Sequence, residues 1–356
     1  MSEKNVTMAI IGAGGCGINV IAKYMETWDI PRGDKTGWSS NANVVIVDTS
    51  ASNIEKAKDE QIRPFILGDA GAGKNRASLL KDIQSRLDAS LVHEELRDIN
   101  IIVYSMSGGS GSVIGPLLVR EALRQGKAVI SIGVVDACSK MDCVNSINTT
   151  QSLGHIAMTD KVYIPTMIYS NVGVGRFVVN RTIATRIWQI CDLFLNDSVS
   201  ELDYTDRMNF LRPDKVGLAE AGVYTFCVVD VNNDEKIRIG DDHLYSVRGL
   251  TPEGDRVQPE KTGEEYIFVA RNTCVHSAMV INDTGVVPEM IANATYLGMS
   301  DKIKYIAICG APFNRNLIDM LNTKADRYER SAGVEQVNFA DAFQTKGGLD
   351  KSGIIN

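Results

Sequence analysis

Apolar residues in this chain gather into short, almost continuous runs. Residues 7–11, 44–47, 101–103 and 129–135 are apolar at nearly every position, as expected of strands buried on both faces. Residues 161–165 form a further strand. Between these runs, apolar residues recur at helical spacing. One helix opens at Ile18-Asn19-Val20-Ile21, one runs from Val113 through Leu117, Leu118 and Leu123, and one covers residues 144–158. Alternation of strand and helix predicts a Rossmann-like α/β fold, a parallel sheet with helices on both faces. Arg63-Pro64-Phe65-Ile66-Leu67 reads as a poor strand because of Pro64.

Residues 176–195 contain no Gly or Pro. Val179, Ile183, Ile187, Ile190 and Phe194 fall on one side of a long helix, and Trp188 and Cys191 read as core. From residue 215 the pattern changes. Strands are expected at 223–230, 265–271 and 304–309, a helix within 283–298, and hairpins in the polar stretch 232–263. This is a second, α+β domain. The expected division is therefore 1–175, a central helix at 176–198, the second domain at 199–330 and a tail at 331–356. Within the tail, 347–356 reads as disordered.

Several polar loops fall at the carboxyl ends of predicted strands, where open parallel sheets bind ligands. After the third comes Ser105-Met106-Ser107-Gly108-Gly109-Ser110-Gly111-Ser112-Val113. Its backbone N–H groups and hydroxyls can converge on one anion, and the helix start behind them adds partial positive charge. After the first comes Gly12-Ala13-Gly14-Gly15-Cys16-Gly17, a strand, glycine turn and helix that suits a nucleotide. A flexible turn, or a tight turn packing strand on helix, would use the same glycines. Asp48 and Asp136 end two other strands and are placed to meet a ribose or base. Gly68-Asp69-Ala70-Gly71-Ala72-Gly73-Lys74-Asn75 matches GxxxxGK[ST] except at Asn75, which lacks the hydroxyl that would bind magnesium. It is better explained as a third glycine loop over a phosphate. Asp203 and Asp206 lie on one side of a helical turn; a bare pair of this kind is ordinarily a solvated helix start. Trp28 and Trp38 read as pins for the polar loop 26–43.

Composition narrows the field. The chain has 356 residues, 44% of them hydrophobic, enough for two domains. A net charge of -7 argues against a nucleic-acid-binding surface. No apolar run approaches a bilayer span, and the N-terminus enters a strand too soon for a signal peptide. Seven cysteines and four histidines are scattered singly, which suggests reduced thiols, a cytoplasmic setting and no structural metal.

Together the motifs resemble the tubulin/FtsZ superfamily of polymerising GTPases. Ile11-Gly12-Ala13-Gly14-Gly15-Cys16-Gly17-Ile18-Asn19 is similar to that family's first phosphate loop. Met106-Ser107-Gly108-Gly109-Ser110-Gly111-Ser112 resembles its GGGTGTG loop, with serines for threonines. Gly71-Ala72-Gly73 resembles the loop near the γ-phosphate, and Glu201-Leu202-Asp203-Tyr204-Thr205-Asp206 the NxDxxD loop after the central helix. In order, they span residues 7 to about 310. Length and tail look most like the phage and plasmid branches, the PhuZ- and TubZ-like proteins.

The resemblance implies a site for GTP or GDP with Mg2+. Ser107, Gly108, Gly109, Ser110, Gly111 and Ser112 would hold the α- and β-phosphates, with Gly12, Gly14, Gly15, Cys16 and Gly17 on the other side. Asn19 and Asn180 would face guanine. Asp203 and Asp206 would enter the nucleotide pocket of the next subunit in a head-to-tail homopolymer and polarise the attacking water. Positioning of phage or plasmid DNA or particles in a bacterial cytoplasm, through a DNA- or capsid-linked adaptor, is implied too, without direct nucleic-acid or membrane binding. The chain departs from the family in places. Arg176 stands where an aromatic normally stacks on the base, with Phe177 beside it. Glu201 replaces Asn, and the tail mixes Asp341 and Asp350 with Lys346 and Lys351. A Rossmann-type NAD-dependent oxidoreductase is the alternative from Gly12 to Gly17. It would need an acid about 20 residues after the glycines, and Asp48 lies farther on. A non-hydrolysing filament protein of the same fold is a third possibility, against which the retained Asp203 and Asp206 argue.

Overall fold

The computed structural model describes residues 5–27, 41–57, 59–68, 76–195, 204–217, 219–230 and 317–330. It also describes strand residues 236–239, 243–246, 267–271, 278–281, 289–290 and 305–312. Seven strands form a parallel sheet: β1 (Met8–Ala13), β2 (Ala42–Asp48), β3 (Ile62–Ile66), β4 (Ile99–Ser105), β5 (Ala128–Val135), β6 (Tyr163–Ser170) and β7 (Gly222–Asp230). Their order is β7-β6-β5-β4-β1-β2-β3, parallel throughout. The helices are α1 (Gly14–Thr27), α2 (Ala51–Lys56), α3 (Arg76–Ala89), α4 (Ser110–Arg124), α5 (Lys140–Asp160), α6 (Arg176–Leu195) and α7 (Tyr204–Leu211).

Alternation along the strands feeds two cores. Ile10, Val44, Ile46, Ile101 and Val103 face one side, where Ile18 and Ile21 of α1 and Ile183, Ile187 and Ile190 of α6 cover them. Ile11, Val45, Val47, Ile102 and Tyr104 face the other, under α3, α4, α5 and the helical residues 317–330. Because both faces are buried, the strands read as continuous apolar runs. Trp188 packs against the first core and Cys191 is fully buried in it.

Beyond β7 the strands turn antiparallel. β13 (Tyr305–Pro312) pairs with β7, β10 (Ile267–Arg271) with β13, β11 (Ala278–Ile281) with β10, and β12 (Glu289–Met290) with β11. Separately, β8 (Lys236–Ile239) and β9 (His243–Ser246) pair antiparallel, in the stretch where hairpins were expected.

Two expectations need correction, and a third falls almost wholly outside the described residues. Residues 62–66 do form a strand: β3 lies at the edge of the sheet, where a proline costs no ladder bond on its open side. The strand expected at 161–165 lies at Tyr163–Ser170, because Lys161 caps α5 in the left-handed conformation, φ 52°. Of the helix expected within 283–298, the only described residues are Glu289 and Met290, and they are strand. Trp28, Trp38 and the tail lie outside the described residues.

Two glycines test this packing. A β-carbon on Gly115 would stand 2.3 Å from the Tyr104 ring, and that ring is held by a 2.7 Å hydrogen bond between its hydroxyl and Ser131. Gly115→Ala is expected to destabilise the fold by about 2–3 kcal/mol in chemical denaturation, the upper range for overpacking. Gly154 lies inside α5 with nothing within 4 Å of its added carbon. Gly154→Ala is expected to stabilise by up to about 1 kcal/mol.

Candidate functional site

β1 passes directly into α1 at Gly14, whose φ of +69° favours glycine. A β-carbon there would also stand 2.7 Å from the Gly111 nitrogen. Gly111 lies in the first turn of α4, after the N-cap Gly109. The N-termini of α1 and α4 are thus in backbone contact and open onto one space. Gly12 and Gly17 do something else. A β-carbon on Gly17 would stand 2.2 Å from the Val103 carbonyl oxygen, and one on Gly12 would stand 2.7 Å from that of Gly17. Both let α1 lie flat on the sheet, and neither lines the cleft.

That cleft holds about 380 Å³. Gly14, Gly15, Cys16 and Asn19 line it from α1, and Ser107, Gly108, Gly109, Ser110 and Gly111 from the α4 loop. Asp48, Asp136, Arg176 and Asn180 complete the expected set. Ser112 is buried beneath the loop, its hydroxyl donating to the Gly109 carbonyl at 3.0 Å. The loop is braced throughout. Gly108 N–H donates to Ser105 Oγ at 2.9 Å. From α5, Asn145 Nδ2 donates to the Ser107 carbonyl at 3.1 Å and Thr149 Oγ1 to that of Met106 at 2.9 Å. Arg76, first residue of α3, donates to the Ser112 carbonyl and to Thr149 Oγ1, each at 2.6 Å. Thr49 Oγ1 and Ser110 Oγ, 2.7 Å apart, tie the β2 loop to α4.

Three lining residues were missed from the sequence, Asn53, Asp142 and Asn171, while Ser105, which opens the loop read there, lines the cleft too. Asn53 donates to Asp48 Oδ2 at 2.7 Å. Asn171 follows β6 much as Asp48 and Asp136 stand at the ends of β2 and β5, so the strand-end rule would have found it. Placing that strand too early hid it. Among the described residues, Asn171 Oδ1 is buried with no hydrogen-bond partner.

Among the described residues, the charged lining is Asp48, Asp136, Asp142 and Arg176. Burial pushes the Asp136 carboxyl up. Hydrogen bonds from the Cys138 thiol, the Arg176 guanidinium and the Ala137 N–H outweigh it and hold the group below the usual carboxylate range. Burial pushes the Cys16 thiol up to about 12, so it stays protonated and neutral. Among the described residues, three acids face one guanidinium, so the groups there that suit a polyphosphate are the backbone N–H groups and the two helix N-termini. The glycine cradle that a β-carbon would fill and the unpartnered Asn171 acceptor fit a phosphorylated ligand with a donor-bearing base.

Not every expected residue meets here. Phe177 is 65% exposed and does not line the cleft; Lys23 Nζ stands 5.0 Å from its ring centroid. Gly71, Ala72, Gly73 and Asp203 lie outside the described residues. Asp206 lies in α7, at the other end of the molecule. There the Tyr204 hydroxyl donates to Asp98 Oδ1 at 2.9 Å, just before β4 begins. The seven residues of β4 put about 20 Å between that point and the cleft. The 20 residues of α6, about 30 Å, run the same way from Arg176 down to Phe194, whose carbonyl accepts from Arg207 of α7 at 3.0 Å.

Residues 7–166 match the Tubulin/FtsZ family, GTPase domain. A phage tubulin-like protein of Pseudomonas phage phiKZ is 29% identical over 181 residues, 47% of this chain and 55% of that protein. The chain thus spans little more than half the length of that relative. Among solved structures, a protofilament of TubZ from bacteriophage PhiKZ superposes with a TM-score of 0.65 at 19% identity, over 92% of this chain and 93% of that one. The phage tubulin PhuZ with GDP gives 0.61 at 19% identity, over 99% and 100%. The fold is the tubulin/FtsZ-like α/β fold.

Two predictions follow from this geometry. Gly14→Ala is strained in φ and forces the two loops apart, so affinity for a fluorescent guanine triphosphate should fall at least about ten-fold, the scale of one lost charge-assisted hydrogen bond. Asp136 has a depressed folded pKa, so its contribution to stability is complete above the unfolded value near 3.9 and is lost as pH falls through the lower folded value. NMR titration of its carboxyl should show this, with the midpoint moving up in Arg176→Ala.

Proposed function

We propose, for a chain whose residues 7–166 match the Tubulin/FtsZ family, GTPase domain, that it binds GTP in the cleft between α1 and α4 and assembles head-to-tail into filaments. Hydrolysis to GDP and phosphate then requires two subunits. One observation carries this reading: α7, which contains Asp206, is held at the opposite end of the sheet from the cleft. An acid there cannot serve its own chain's ligand across about 20 Å. It can serve the cleft of a second copy stacked end to end.

The roles follow from position. Backbone N–H groups of Gly108–Ser112 and of the α1 start hold the phosphates. Asn19, Asn171 and Asn180 meet the base, with Asp48 and Asp136 toward the sugar. Asp203 and Asp206 of the adjoining copy orient water for attack on the γ-phosphate. This suits phosphoryl transfer, where positioning and charge stabilisation dominate. Mg2+ would supply charge neutralisation at the phosphate oxygens, offsetting the three carboxylates of the cleft.

Surface composition supports end-to-end stacking. Ile66, Met141, Val174, Phe177 and Val178 are exposed around the cleft end, and Leu91, Met158 and Val216 at the other. Two different apolar surfaces at opposite ends favour a heterologous contact, which extends rather than closes. The change from parallel to antiparallel pairing at β7 supports a second domain over 199–330, after the central helix 176–198. A place in the bacterial cytoplasm and a role in positioning phage or plasmid cargo through an adaptor belong to the same proposal, by analogy with the phage relatives.

GTP turnover per subunit should rise steeply with protein concentration and vanish on dilution. Asp203→Ala and Asp206→Ala should each lower it by at least about 100-fold, while the isolated subunit keeps its nucleotide affinity. Turnover independent of concentration, or insensitive to both substitutions, would count against a shared site.

A further inference from the structure

One carboxylate lies at the end of the sheet opposite the cleft, where α7 meets the strand starts. Asp98 stands just before β4. Its Oδ2 accepts from Thr7 N–H at 3.0 Å and from Thr7 Oγ1 at 2.6 Å, and its Oδ1 accepts from the Tyr204 hydroxyl at 2.9 Å. The backbone closes the same knot, with Ile99 N–H donating to the Thr7 carbonyl at 3.1 Å and Ala128 N–H to that of Asp98 at 2.8 Å. Asp98 thus grips the leading ends of β1, β4 and β5. The trailing ends of those strands carry Gly14, the Ser107–Gly111 loop and Asp136. Tyr204 opens α7 and directly follows Asp203.

The later part of α7 is held separately. Phe210 packs on Phe194 with ring centroids 5.8 Å apart, and Arg207 reaches the Phe194 carbonyl. The Tyr204 hydroxyl's bond to Asp98 ties the first turn of α7 to the start of β4. We infer that Tyr204, acting through Asp98, is a positioning residue for hydrolysis: its hydrogen bond fixes the first turn of α7, the segment from which Asp206 and the preceding Asp203 are proposed to act on the adjoining copy. This rests on the shared site proposed above. Misplacement of a reacting group by about 1 Å is enough to cost about 100-fold in rate.

Tyr204→Phe in the full chain keeps the ring and removes only the hydroxyl. GTP turnover per polymerised subunit should fall about ten-fold, the scale of one hydrogen bond to a charged group. Nucleotide affinity of the dilute subunit should stay within about two-fold. Mixing with Gly14→Ala subunits, whose clefts are impaired but whose acids are intact, should restore turnover, because Tyr204→Phe clefts then meet intact acids. Asp98→Asn, which weakens the same contact, should respond alike. A merely structural fault would lower affinity in parallel and would not be rescued in the mixture. Unchanged turnover in the polymer, a matching loss of affinity, or no recovery on mixing overturns the inference. Wild-type protein that hydrolyses no GTP at any concentration defeats the shared site and this inference together. Wild-type turnover with an unaffected Tyr204→Phe defeats this inference alone.

Discussion

A side chain on Gly14 would strike the Gly111 backbone, and one on Gly111 would strike the Ala13 carbonyl. Everything at the binding end depends on that contact. It brings the N-termini of α1 and α4 together, and each contributes free N–H groups and partial positive charge. The braces around it keep the approach from relaxing: Arg76 and Thr149 behind α4, Asn145 beneath the loop, Thr49 against Ser110. Glycine at the contact and polar side chains in the second layer divide the work. The first permits close approach of a ligand, and the second fixes where that approach occurs.

A parallel sheet makes the molecule polar along its strands. Every loop that follows a strand appears at one end, and every loop that precedes one at the other. The cleft therefore collects Asp48, Asp136, Asn171 and the glycine loops, while Asp98 and α7 belong to the opposite end. Helix α6 and strand β4 span the distance between them. Such a subunit has two dissimilar ends, so stacking identical copies creates a new composite environment at each junction. Under the proposed shared site, coupling of chemistry to assembly would need no moving part, only that its two halves be built at opposite ends of one sheet.

Much of this was legible in the residues. Double burial of the central strands made them continuous apolar runs, and the α/β alternation followed. The glycine loops could be placed because they sat at strand ends, and the cleft assembles most of them. What the sequence obscured has identifiable causes. Pro64 disguised β3, because local chemistry cannot reveal that a strand will lie at an edge. Lys161 was counted as strand because a left-handed helix cap leaves little mark in composition, and that shift hid Asn171. Gly12 and Gly17 look the same as Gly14 in sequence, yet they serve helix packing. Phe177 was set beside Arg176 as a candidate to meet the base, but adjacent residues on a helix point about 100° apart, and of the two Arg176 faces the cleft. Asp98 carried no signal at all, since its partners Thr7 and Tyr204 are 91 and 106 residues away.

Electron cryo-microscopy of the protein assembled with a non-hydrolysable GTP analogue tests the central claim most directly. The account predicts single-polarity protofilaments in which α7 of each copy faces the α1–α4 cleft of the next, with nucleotide density between them. Assemblies in which copies meet side by side, with α7 turned to solvent and the cleft open, would contradict it.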